Sequence, residues 1–90
     1  MSEIYSIISG RVQMVMFRDF MSRKANSLGI VGTARNLDDG SVEVVAQGDK
    51  TQLEKLIDFM HKGSIFSRVD NVAVTWREPG TSFADFRILF

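Results

Sequence analysis

Hydrophobic and polar positions follow two different periods along the chain, and the switches between them mark the elements. Residues 4–9, Ile-Tyr-Ser-Ile-Ile-Ser, have strand composition and stop at Gly10. From Phe17 the period lengthens. Phe17, Phe20, Met21, Ala25 and Leu28 recur at helical spacing as one apolar stripe, with Arg23, Lys24 and Asn26 on the other side and Gly29 as the stop. Residues 31–37 and 41–47 read as two strands joined through Asp38-Asp39-Gly40, an Asp-Gly hairpin signal. In the second of these, Val42, Val44 and Ala46 share one face while Glu43 and Gln47 point the other way. Asp49 and Gln52 fit a variant of the capping box. Leu53, Leu56, Ile57 and Met60 then form a second helical stripe that Gly63 ends. Val72, Val74 and Trp76 alternate as a strand, Pro79-Gly80 marks a turn, and Phe86, Ile88 and Phe90 alternate to the last residue.

This order predicts an α+β fold: a ferredoxin-like β-α-β-β-α-β sandwich with an extra C-terminal strand. Both helices are expected on one face of an antiparallel or mixed sheet. The 90 residues read as a single domain, 1–90.

Composition narrows the chemistry. There is no cysteine and only one histidine, so disulfide scaffolds, thiol nucleophiles and Cys- or His-rich metal centres are excluded. Eleven Lys and Arg balance eleven Asp and Glu, which argues against a basic nucleic-acid surface. An RNA-recognition module shares the element order but stacks bases on aromatics of its central strands. Here the strand Ser41–Gln47 has no aromatic and carries Glu43. A small-ligand regulatory module would need a catalytic domain or a partner chain, and no second domain is read here. No apolar run approaches a membrane span of about 20 residues. The start, Met-Ser-Glu-Ile-Tyr, lacks the basic and apolar regions of a signal peptide. The expectation is a cytoplasmic protein.

The informative segment joins the first strand to the first helix, Ser9 to Arg18. Free backbone N–H groups and the positive helix end converge there on one point, which favours an anion. Arg18 could hold two phosphate oxygens with its planar fork, or be a plain surface arginine. Asn36 reads as a turn residue opening the hairpin, the commoner role of asparagine. Asp38 and Asp39 read as turn residues and His61 as a solvated residue in the last helical turn. Arg11 either adds positive potential to the loop or pairs with a carboxylate.

Two groups of residues carry a family resemblance. Gly10-Arg11-Val12-Gln13, then Val15, Phe17 and Arg18, are similar to the first acylphosphatase signature, G-x-V-Q-G-V-x-F-R. Gly32-Thr33-Ala34-Arg35-Asn36, with Gly40, Val42 and Gly48, resembles the second, G-[aromatic]-x-x-N-x3-G-x-V-x5-G. The resemblance implies hydrolysis of acyl phosphates, with Arg18 binding the phosphoryl group and Asn36 orienting the attacking water. The loop Arg11, Val12, Gln13, Met14, Val15, Met16 and Phe17 would supply backbone N–H donors. It implies no cofactor and no metal. The implied partners are a small acyl phosphate and inorganic phosphate or sulfate as product or inhibitor, with no nucleic acid and no membrane, on a monomer. Two positions depart from the pattern: Met14 stands where the family has glycine, and Thr33 where it has an aromatic residue. Met14 motivates an alternative, a degenerate member that binds phosphate without turnover.

Overall fold

The computed structural model describes residues 1–13 and 16–90. Its elements are β1 (Ser2–Arg11), α1 (Phe17–Ser27), β2 (Val31–Asn36), β3 (Val42–Gly48), α2 (Lys50–Lys62), β4 (Arg68–Arg77) and β5 (Phe86–Leu89). The expected order and the extra last strand are both present. The sheet order is β4-β1-β3-β2-β5, antiparallel throughout except for the parallel β2–β5 pair, so the sheet is mixed.

Strand alternation sorts the side chains into two faces. Ile4 and Ile8 of β1, Ala34 of β2, and Val42, Val44 and Ala46 of β3 are buried in the core. The helical stripes meet them: Phe17, Met21 and Ala25 from α1, and Leu53, Leu56 and Met60 from α2. Phe20 and Phe59 join the helices edge to face, with ring centroids 6.2 Å apart. Helix α1 ends at Leu28 and Gly29, where the Ile30 N–H returns to the Ala25 carbonyl at 2.9 Å. The capping box does not form. Asp49 is the N-cap of α2, but its side chain makes no capping hydrogen bond, and the Gln52 Oε1 is buried without a partner among the described residues. Asp49 is exposed, so its carboxylate stays open to solvent.

The opposite face carries a polar ribbon. Arg35 pairs with Glu43 at 2.9 Å, and the Tyr5 hydroxyl donates to the same carboxylate at 3.0 Å. Gln47 donates to Glu3 at 2.7 Å, and Arg77 pairs with Glu3 as well. The chain between β4 and β5 has to pass from one edge of the sheet to the other. On the way the Thr81 carbonyl accepts a hydrogen bond from Gln47, and the Asp85 carbonyl accepts one from the Gly32 N–H at 2.9 Å. This segment explains why Glu3 and Gln47 are buried on a face that no helix covers. Strand β1 outruns its expected range at both ends because the added residues, such as Glu3 and Arg11, are polar.

Candidate active site

Strand β1 leaves the sheet through a bulge. Its register with β4 shifts between Ser9 and Gly10, and Gly10 has φ 127. A side chain there would run into the Arg68 carbonyl, so only glycine allows β4 this close. Beyond the bulge, Val12 turns into the core and Gln13 turns sideways. The Gln13 amide donates to the Leu37 carbonyl at 2.7 Å and the Ser41 carbonyl at 2.8 Å. Both carbonyls belong to the turn between β2 and β3. That turn is closed by the Leu37 N–H on the Ser41 carbonyl at 2.8 Å and by Asp39, which accepts from the Ser41 N–H at 2.9 Å. Asp39 therefore has the turn role expected of it, and hydrogen bonds from the Ser41 hydroxyl, first, and the Ser41 N–H hold its carboxyl below the usual range.

Helix α1 begins with an uncommon cap. Met16 is left-handed, φ 62 and ψ 23, and no side chain caps the helix. It is the single non-glycine residue with positive φ among the described residues. The first-turn amides therefore receive no side-chain acceptor, which leaves donors and the positive helix end for an external anion. Asp19 in this turn is neutralised by Arg23 at 3.0 Å.

Val12, Met16, Phe17, Arg18, Asp19, Ile88 and Phe90 line a cavity of about 180 Å³ at this helix end. Arg18 does not wave in solvent. Its Nη1 donates to the Leu89 carbonyl at 2.9 Å, and its guanidinium lies 4.9 Å from the centre of the Phe90 ring. Strand β5 thus sets the direction of the guanidinium and leaves further N–H groups for an anion.

Asn36 ends β2 on the helix-facing side, two residues beyond Ala34. It is not among the residues lining the cavity. The parallel register Ala34↔Ile88 and Arg35↔Leu89 brings it next to the end of β5, which does line the cavity. Its Oδ1 is buried with no donor among the described residues. A dry, unpaired acceptor costs about 1–3 kcal/mol, so an O–H donor arriving there would be well received.

Of the expected loop, then, Val12, Met16 and Phe17 come together with Arg18 around the cavity. Gln13 faces the hairpin, and Arg11 is exposed at the end of β1 without an ion pair among the described residues. Met14 and Val15 lie outside the described residues, as does the effect of Met14 on the loop. Sequence reading missed the contribution of β5. It also missed Ile65 and Phe66, two large apolar side chains left in solvent just after α2. Among the described residues no three His, Asp or Glu side chains gather closely enough to hold a metal ion, and no helix is long and apolar enough to cross a membrane.

The fold is that of a small ferredoxin-like α+β domain, with an uncapped helix start beside an arginine oriented by the last strand. The acylphosphatase family profile matches residues 4–88. An acylphosphatase of Methanococcoides burtonii is 46% identical over 87 residues, covering 97% of this chain and 88% of its own. One of Caldanaerobacter subterraneus is 51% identical over 81 residues, 90% of each chain. The crystal structure of the Bacillus subtilis acylphosphatase superposes over all of both chains with a TM-score of 0.96 at 33% identity. The chain belongs to the acylphosphatase family of hydrolases.

Proposed function

We propose that the protein hydrolyses acyl phosphates by direct attack of water on phosphorus, with Arg18 and the loop amides holding the phosphoryl group and Asn36 orienting the water. The observation that carries this reading is the uncapped start of α1 beside an arginine already aimed by β5. The water's oxygen forms a bond to phosphorus as the P–O bond to the acyl group breaks. The bonding electrons leave with the carboxylate, and the water's protons end on phosphate or in solvent. The leaving carboxylate is a weak base, its conjugate acid having a pKa of roughly 4, so it departs without a general acid. A loose phosphoryl transition state asks little deprotonation of the water. Position and electrostatics then suffice. The buried, unpaired Asn36 Oδ1 supports the water-orienting role, because a water that donates to it turns a lone pair toward the phosphate.

The same reading takes the chain as one monomeric, cytoplasmic domain with phosphate or sulfate as a competitive ligand. Phosphate binding without turnover is not favoured by the family match, although Met14 is a real departure from the pattern. The test is turnover of acetyl phosphate by the purified protein, with Arg18→Ala and Asn36→Ala alongside. Wild-type hydrolysis above the spontaneous rate is expected, with both variants folded and each losing at least about a hundredfold in rate, as for removal of a transition-state donor. Full activity in Asn36→Ala would defeat the water assignment.

A further inference from the structure

A second cavity, of about 270 Å³, lies beside the first and is lined by Met16, Phe20, Arg23, Lys24 and the turn Ser64, Ile65 and Phe66. Met16 is a wall of both cavities. Three large apolar side chains are left in water here: Met16 at 67% exposure, Ile65 at 89% and Phe66 at 69%. The turn that carries two of them is tied down. The Ser67 N–H returns to the Ser64 carbonyl at 3.0 Å and the Ser67 hydroxyl to the same oxygen at 2.8 Å. Ile65 and Phe66 thus sit at the tip of a closed turn, and exposed apolar side chains grouped against a groove mark a binding surface.

Its place says what it binds. In an acyl phosphate the carbonyl carbon is joined to phosphorus through a single oxygen, so the acyl substituent starts at the rim of the phosphate site. With phosphate in the first cavity, that substituent can lie across Met16 into the second. Lys24 and Arg23, which also line it, already have partners: Lys24 sits over the Phe59 and Phe20 rings at 4.6 and 5.6 Å, and Arg23 is paired with Asp19. The open part of the groove is therefore apolar. Building on the hydrolytic reading above, we propose that Met16, Ile65 and Phe66 form an acyl-group subsite. It selects acyl phosphates with bulky apolar or aromatic acyl groups over acetyl phosphate.

The experiment compares acetyl phosphate with benzoyl phosphate on the wild type and on Phe66→Ser and Ile65→Ser. Both positions are exposed, so these variants should stay folded. Benzoyl phosphate should show a KM about tenfold lower than acetyl phosphate, the order of discrimination a hydrophobic pocket gives. Each variant should raise the benzoyl KM several-fold and leave acetyl phosphate kinetics unchanged. An unchanged benzoyl-to-acetyl ratio in both variants would overturn the subsite while leaving the hydrolytic reading intact. No turnover of either compound would instead defeat the hydrolytic reading. Sedimentation on the same samples tests a second copy as occupant: self-association lost in Phe66→Ser, with selectivity unchanged, would also overturn the proposal.

Discussion

Gln13 offers the sharpest test of how the two halves of the site are held in register. Its amide ties the loop that leads into α1 to the turn that follows Asn36, through the Leu37 and Ser41 carbonyls. Gln13→Met keeps most of the volume and removes both donors. Neither carbonyl is orphaned, since Leu37 still accepts from the Gly40 N–H at 3.2 Å and Ser41 from the Leu37 N–H. The loss is thus two ordinary hydrogen bonds without a desolvation penalty, about 1–2 kcal/mol together. In a domain of this size that lowers the melting temperature by about 5–15 °C. Turnover should suffer more than stability, because about 1 Å of misplacement between water and phosphate can cost a hundredfold. kcat should fall by tenfold or more, while inhibition by phosphate, which in the proposed mechanism rests on the loop and Arg18, should weaken far less. Gln13→Glu adds a control with a defined sign. A carboxylate facing two carbonyls is disfavoured, so its pKa in the folded state rises. The variant should be most stable below the unfolded pKa of about 4.3 and lose stability as pH rises through the folded value. Thermal melts and steady-state kinetics read all of this. A Gln13→Met protein with unchanged melting temperature and kcat would refute the reasoning.

Other predictions rest on separate parts of the molecule. Gly10→Ala should destabilise by several kcal/mol, as a new side chain strikes the Arg68 carbonyl at the bulge; a denaturant midpoint within error of wild type would contradict this. Burial raises the Glu3 carboxyl, but hydrogen bonds from Gln47 and Arg77 and the Arg77 charge outweigh it, so the folded pKa is lowered. Its contribution to stability is complete above about pH 4.3 and is lost as pH falls toward the folded value, so Glu3→Gln should flatten the acid limb of stability against pH. Met14→Gly restores the family residue and should give equal or higher turnover of acetyl phosphate, whereas a sharp loss would mean that the loop does not need glycine there.

The elements were legible because each apolar stripe has a partner in the core: Phe17, Met21 and Ala25 on one helix, Leu53, Leu56 and Met60 on the other. Arg18 and Asn36 were legible as residues of two motifs. What aims them was not. The Leu89 carbonyl under Arg18 and the Gln13 clamp are contacts of remote segments through backbone oxygens, which every residue type has and no pattern announces. The Asp49–Gln52 pair shows the opposite error, a local pattern whose hydrogen bonds the fold did not need. Ile65 and Phe66 have no period to follow, so only their exposure marks them.

Arg18 and Leu89 are 71 residues apart in the chain, and Gln13 reaches across 24 and 28 residues to its carbonyls. No early, local structure can therefore build the site. Closing such distant contacts is the slow part of folding. A refolding chain should regain helical circular dichroism before it regains hydrolysis. The enzyme's own turnover then serves as a clock for the last step, the docking of β5 against β2 and of the loop against the hairpin. Until that step is complete, a compact chain with both helices formed is still chemically silent.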